Sequence, residues 1–576
     1  MRLPMYRPAA RKPWSGQRSM ALLAILILAS PSAAGETIAA GTQVFDGSRV
    51  APGSTIAIQA GTWSLLKISN LTGTSEKPIV ITNAGGLVRL ANADRGFALA
   101  LHGCRHVRLT GSGTPGLQYG ISAEATKAGM FTVHVVDRSS DIEIDHVEIT
   151  GAGFSGFNIK DDPRPDGSVN RGAFVMENIH LHHNYIHDVP AEAFYVGHSF
   201  YQGIAKPGGG LLLPHVIKGV RIHHNRTTNT GFEAIQIGCA SDVEVHDNII
   251  ERSGTRGIEN QNNGMQINAF GQVQVYRNTF RDVHGFAVLI ASLEDDFSLL
   301  FHQNLLVNAK AGGVFVGGSK GSAGKGIGVY NNTVVNCGGN AFRVFNNALP
   351  SRTFMNNLLV ANKGPGIAIV GGGSQNAEGN MELPSLEKAG FRDPAAGDYD
   401  LLPTSPAVAR GKAVPGMVLV ADPTGRDPAR ANAIDVGAYA PSAPTPAATK
   451  PGRTERKTPQ VPSPAKDPDL TPEGWCRILD PALGAAMSNR LRIRFACSLL
   501  GGKEAYVTGY KDGRLQLASD GNSVPFPLAR MPQEDILRLG CALADAMQDD
   551  AGIRALAAKL LTVNGRLVEA ARYRSP

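Results

Sequence analysis

The chain has 576 residues, a formal charge of +7, 43% hydrophobic and 6% aromatic residues, and 67 glycines, ample for a core with many tight turns. Its 56 basic and 49 acidic residues form no basic stripe, which argues against a nucleic-acid partner. The small positive balance still permits attraction to an acidic polymer.

In chain order, residues 1–34 read as a secretory signal peptide. Arg2, Arg7, Arg11, Lys12 and Arg18 make a basic start, Met20–Ala29 is an apolar run, and Ser32-Ala-Ala34 offers small residues for cleavage. The run is too short to span a bilayer comfortably, and no later stretch is long and apolar enough for a membrane helix. The expectation is an exported mature chain without a membrane span, periplasmic or extracellular; an uncleaved anchor is the other reading. Export permits disulfides, but the cysteines form no dense framework. Cys104, Cys239 and Cys337 fall in separate repeats and read as small buried fillers. Cys476, Cys497 and Cys541 fall in the tail, with room for one disulfide, and no CxxC spacing suggests zinc.

Thr42–Gly111 alternates short strands with turns, as in Gly61-Thr-Trp63, Gly73-Thr-Ser-Glu-Lys-Pro-Ile-Val-Ile81 and Val107-Arg-Leu-Thr-Gly111. From Ile142 a repeat takes over. Val220-Arg-Ile-His-His-Asn225 is followed by Ala234-Ile-Gln-Ile-Gly238, and Val243-Glu-Val-His-Asp-Asn248 by Gly264-Met-Gln-Ile-Asn268. Unit-ending asparagines fall at 184, 225, 248, 278, 304, 332 and 357. A strand-based period in the twenties, with inserted loops, means a solenoid. Alternation puts Val220 and Ile222, then Ile235 and Ile237, on one face that only stacked coils can bury. The asparagines then form a ladder along one corner.

These repeats resemble the all-β, right-handed parallel β-helix of the pectate-lyase-like superfamily, over roughly Gln43 to Tyr439. The Gly-Thr-x-x-Lys-Pro-Ile pattern is similar to the first coils of chondroitinase-B-like and alginate-lyase-like proteins. Beyond Gly373 the repeat loosens, and Asp393–Asp400 with Ile434–Ala438 resembles the closing segment of secreted β-helix proteins. The β-helix is therefore expected over residues 35–440. Residues 441–472, with nine prolines, read as an extended linker. Residues 473–576 read as a small α+β domain, an SH3-like hairpin at Ala505–Leu517 plus a helix within Pro532–Val563. Such a domain serves as a cap or binds another protein or the cell envelope.

Chemistry is expected on the outward side of the strand that opens on Ala or Gly. There Asn158, Tyr195, Gln236 and Gln266 lie one per coil, about 4.8 Å apart, and Leu289, Phe315, Arg343 and Ala368 continue the column. The insertions Asp161–Asn178 and Ser199–Gly219 leave the solenoid beside the polar part, as binding loops commonly do. Lys160, Asp161, Asp162, Glu192, His198, Glu233 and Glu259 are the ionisable groups of the patch. Glu192 and Glu233 occupy equivalent turn positions, with Asn263 next. They read either as a carboxylate pair, for acid/base work or for Ca2+, or as caps on turn amides. His182, His223 and His246, continued by Tyr276, His302 and Tyr330, read as ring stacking rather than metal ligands.

The complete signatures of mannuronan epimerases, pectate lyases and polygalacturonases are missing, so the resemblance implies a fold without a catalytic set. The leading expectation is a lyase acting on an acidic, uronate-containing polysaccharide by β-elimination. Lys160 or His198 would be the base and Tyr195 the acid, with Asn158, Gln236, Asn263 and Gln266 as binders. A glycoside hydrolase using Glu192 and Glu233 is the second enzymatic reading, and a non-catalytic glycan-binding or envelope scaffold is the rival from another class.

Overall fold

Alternating apolar residues and turn-forming corners fold into coils of three short strands. Val216–His223, Arg226–Thr230 and the start of Ile235–His246 make one circuit. The middle strand, directly after the ladder asparagine, is too short to stand out in the sequence. Each strand pairs in parallel with its counterpart one circuit on: Val220 with Val243, Thr227 with Ile250, Ile235 with Met265. The inward residues Val220, Ile222, Ile235 and Ile237 are completely buried in one continuous core.

This computed structural model describes residues 36–206, 208–293, 296–317, 325–345, 349–370, 374–414, 429–430, 433–438, 479, 483, 494–496, 504–511, 514–519, 522–527 and 533–546. The segment read as a signal peptide, the proline-rich linker, Cys476 and Cys497 lie outside the described residues. The chain divides into two compact units, residues 1–447 and 448–576.

The corner after the first strand explains the repeated asparagine. The residue before it takes a left-handed backbone, as at His183, His224, Asp247 and Arg277 with φ of 53–55°. That conformation costs a non-glycine residue of order 1 kcal/mol, and the asparagine offsets it with hydrogen bonds. Asn278 donates from Nδ2 to the Val245 carbonyl at 2.8 Å and to Asn304 Oδ1 at 3.1 Å. Its own Oδ1 accepts from the Asn248 backbone N–H at 3.1 Å and from Asn248 Nδ2 at 2.9 Å. The same bonding runs from Asn184 to Asn357 and continues one rung further, to Asn380.

The segment after Gly373 packs Phe391, Tyr399, Leu401 and Val436 onto Leu305, Val335 and Leu358 of the middle-strand sheet, a second core outside the first. Cys104 and Cys337 are buried thiols, and burial pushes them up to about 11 and 12. Within residues 448–576, the strands Arg494–Ala496, Glu504–Lys511, Arg514–Ser519 and Asn522–Pro527 form an antiparallel sheet, and Gln533–Ala546 is a helix.

Candidate active site

The third strands hold the polar column in register. Phe157-Asn-Ile159 pairs with Phe194-Tyr-Val196, which pairs with Ile235-Gln-Ile237, then Met265-Gln-Ile267. Asn158, Tyr195, Gln236 and Gln266 therefore neighbour one another on the outer face. One coil earlier the column continues to His134 of Val133–Val136.

The expectation that these side chains stand open on the surface is corrected. Asn158 is 5%, Lys160 7%, His198 7% and Gln236 3% exposed, because the two insertions fold back across the column. They are knitted together: Asn170 bridges Pro214, the Arg171 N–H donates to the Leu213 carbonyl at 3.0 Å, and the Arg171 guanidinium lies 3.9 Å over the Tyr201 ring. Their base is pinned by His215, whose Nε2 accepts from the Asp161 N–H at 3.0 Å. Asp161 itself caps the Asp137 and Arg138 amides at 2.9 and 2.8 Å, so it serves structure.

Under this roof Lys160 Nζ is ion-paired to Asp162 and lies 5.0 Å from the centre of the Tyr195 ring. Tyr195 and Ser199 share a hydrogen bond of 2.9 Å between hydroxyls, and Gln236 Nε2 donates to the same Ser199 oxygen. Burial pushes the Tyr195 phenol up to about 12, so it carries its proton at neutral pH. Burial, then the nearby Lys160 charge, push His198 down to about 4. The Phe200 N–H donates to His198 Nδ1 at 3.2 Å, so the ring's proton sits on Nε2, 3.7 Å from Asp162. The Asp162 side chain is exposed at the edge, and Lys160 holds its carboxyl below the usual range.

Three atoms of the column have no hydrogen-bond partner within the described protein: His134 Nε2, Asn158 Oδ1 and Gln266 Oε1. Buried polar atoms are rarely left so. Burial pushes His134 down to about 4, so its ring is neutral. Sequence reasoning started the column at Asn158 and missed His134, although the alternation of Val133-His-Val135 marks it. It also missed Ser199 and His215, whose roles depend on loop geometry that leaves no periodic signal.

Glu192 and Glu233 sit two residues before the paired Phe194 and Ile235, in adjacent coils. Both are buried, 2% and 0% exposed. Ser155 donates to Glu192 Oε2 at 2.5 Å, while both Glu233 oxygens lack a partner. Burial, then the neighbouring Glu192, push Glu233 up to about 8, and burial also raises Glu192. The capping reading therefore does not hold for Glu233. The residues do not fit Ca2+ either, which takes 6–8 oxygen ligands. Beside the two carboxyls, which burial holds toward their protonated forms, Asn263 Oδ1 already accepts from the Phe286 N–H at 3.0 Å. Glu259 is exposed, away from this packing.

On the first-strand sheet, His182, His223, His246, Tyr276 and His302 stack with successive ring centres 4.7–5.0 Å apart.

Residues 132–326 match the family model described as right handed beta helix region. The first unit is a right-handed parallel β-helix. Among solved structures, this β-helix is similar to the pectate lyase Pel9A, with 12% identity, 68% of this chain and 89% of that one covered, and a TM-score of 0.36. A lacto-N-biosidase from Eubacterium ramulus shares 14% identity over 57% of this chain and 63% of its own, with a TM-score of 0.33. A PL6 family polysaccharide lyase from Pseudopedobacter saltans shares 14% over 59% and 92%, with a TM-score of 0.27. No curated protein matches the sequence. Among the described residues no helix is long and apolar enough to cross a membrane.

Proposed function

We propose that this is an exported lyase of an acidic, uronate-containing polysaccharide, working in the covered column around Lys160. One observation carries the reading: polar atoms without partners, His134 Nε2 and the acceptors Asn158 Oδ1 and Gln266 Oε1, line the same column as an ammonium group. Acceptors suit sugar hydroxyls, and an ammonium suits a carboxylate. Exposed Phe200, 5.4 Å from His198, adds an apolar face for sugar C–H surface at the edge.

In β-elimination the uronate carboxylate must be neutralised while a base takes the C5 proton. Lys160, ion-paired to Asp162 at the column, is assigned to the carboxylate in this reading. His198 is a poor base because its Nδ1 lone pair is occupied by Phe200 and its Nε2 carries the proton. His134, neutral and with its Nε2 unpartnered, takes the C5 proton on that atom in this reading, which requires the ring proton on Nδ1. The C4–O bond breaks, the leaving oxygen takes the Tyr195 hydroxyl proton, and a C4=C5 double bond remains. Gln236 and Ser199 hold the Tyr195 hydroxyl in place.

The test is a panel of acidic polysaccharides followed by ultraviolet absorbance and by reducing ends. A lyase raises both, because the unsaturated uronate absorbs. Reducing ends without absorbance would replace the reading with hydrolysis. Binding without either product would make the protein a glycan-binding scaffold, and neither binding nor turnover would overturn the site.

A further inference from the structure

The histidine-rich face of the first-strand sheet lies outside the column described above. Glu143 and His180 are register partners in adjacent coils, and His182 lies two residues along the same strand as His180. All three therefore share the outer face. One ligand atom from each of Glu143, His180 and His182 lies within 4.8 Å of the others. His182 Nε2 is 3.1 Å from Glu143 Oε1, and His180 Nε2 is 2.5 Å from His223 Nε2. Tetrahedral coordination at bonds of 2.0–2.2 Å sets ligand atoms about 3.4 Å apart, within small side-chain adjustments of this arrangement.

Ring stacking alone does not require this convergence. His182 and His223 stack in parallel at 5.0 Å, and tyrosines fill equivalent places in later coils, yet His180 adds a third ring, tilted against both at 4.4 and 4.7 Å. His182 Nδ1 and His183 Nδ1 are 2.8 Å apart, and so are His223 Nδ1 and His224 Nδ1. A proton on Nδ1 of His182 and of His223, donated to the neighbouring ring, leaves their Nε2 lone pairs facing the cluster. Metal-bound histidines are usually held in this way.

The surrounding charge permits a cation. Arg108 Nε is shared between Glu143 at 3.1 Å and Asp145 at 2.9 Å, so two carboxylates face one guanidinium. Asp145 also accepts from Thr110 at 2.5 Å and meets His146 Nδ1 at 2.5 Å. Arg221 turns away to Asp242 at 3.2 Å and to Glu244 at 3.5 Å. In a second trio, His224, His246 and Asp247, Arg277 grips both Asp247 oxygens at 2.9 and 2.6 Å, whereas Arg108 meets Glu143 through Oε1 alone, at 3.1 Å.

We infer that Glu143, His180 and His182 form a binding site for a divalent transition metal of the zinc class, with His223 closing the fourth side. Mixed imidazole and carboxylate ligands suit Zn2+ and its neighbours better than Ca2+ or Mg2+.

The experiment titrates Zn2+ into the tag-free mature protein by calorimetry and records the visible spectrum of the Co2+ form. One equivalent per chain and a tetrahedral Co2+ spectrum are expected. The double substitution His180→Ala/His182→Ala should abolish both. Glu143→Gln, nearly isosteric, keeps the test valid if the double variant fails to fold by circular dichroism, and it should weaken uptake at least ~10-fold. His183→Phe, which removes the acceptor behind His182, should weaken uptake ~10–100-fold. His284→Ala, elsewhere on the solenoid, should leave it unchanged. Absence of uptake by the native chain, or uptake undiminished by Glu143→Gln and the double substitution, would overturn the site.

Discussion

Replacing Glu233 by glutamine should flatten the pH dependence of stability. The Glu233 carboxyl is buried beside Glu192 with both oxygens unpartnered, and burial first, then that neighbour, push it up from 4.5 to about 8. A raised folded value makes this contribution complete below the unfolded value and lost as pH climbs through the folded one. The window therefore runs from about 4.5 to about 8. Each unit is worth about 1.4 kcal/mol, so the loss across the window is on the order of 5 kcal/mol at most. The glutamine side chain fills the same space without an ionisable proton. Thermal melting of both proteins at pH 5 and pH 8 measures the difference, and other titrating groups cancel between them. The native chain should lose several degrees more than Glu233→Gln on going to pH 8. Equal losses would refute the argument that Glu233 is protonated inside the solenoid.

Three further outcomes follow from the same physics. Asn278→Ala should cost about 3–5 kcal/mol, because it strands the buried Asn248 amide and the Val245 carbonyl, whereas Asn380→Ala at the partly exposed last rung should cost less by the same melting assay. Amino-terminal sequencing of exported protein should begin near Gly35; full-length chain recovered in membranes would contradict the secretory reading. Limited proteolysis should cut between residues 441 and 472 and release two folded pieces; a tail that unfolds once freed would contradict their independence.

The sequence carried the solenoid because a β-helix repeats its physics. Val220, Ile222, Ile235 and Ile237 alternate as a buried strand must, and Asn225 or Asn248 marks each corner by a bonding pattern that only asparagine completes. The middle strands escaped notice because Ile249–Glu251 and Thr279–Arg281 are three residues long and show no period. The site was legible as a column, through Asn158, Tyr195, Gln236 and Gln266, but not in its exposure. Alternation says which way a side chain leaves the sheet, not what later covers it. The bond from Asp161 to His215 joins residues 54 apart, and no local pattern announces such a pin. For Glu192 and Glu233, parity breaks at the turn, so only the folded chain reveals that both are buried.

The most direct test of the account compares initial rates of the native protein and of Lys160→Ala, Tyr195→Phe and His134→Ala on the acidic polysaccharides of the panel. Each substitution should lower the rate by roughly 10²–10⁴ with binding retained for Tyr195→Phe, since proton transfer and charge neutralisation are worth about that much. His246→Ala, on the other sheet, should change it little. Rates unaltered by Lys160→Ala and Tyr195→Phe, or lowered as much by His246→Ala, would contradict the assignment of the covered column as the active site.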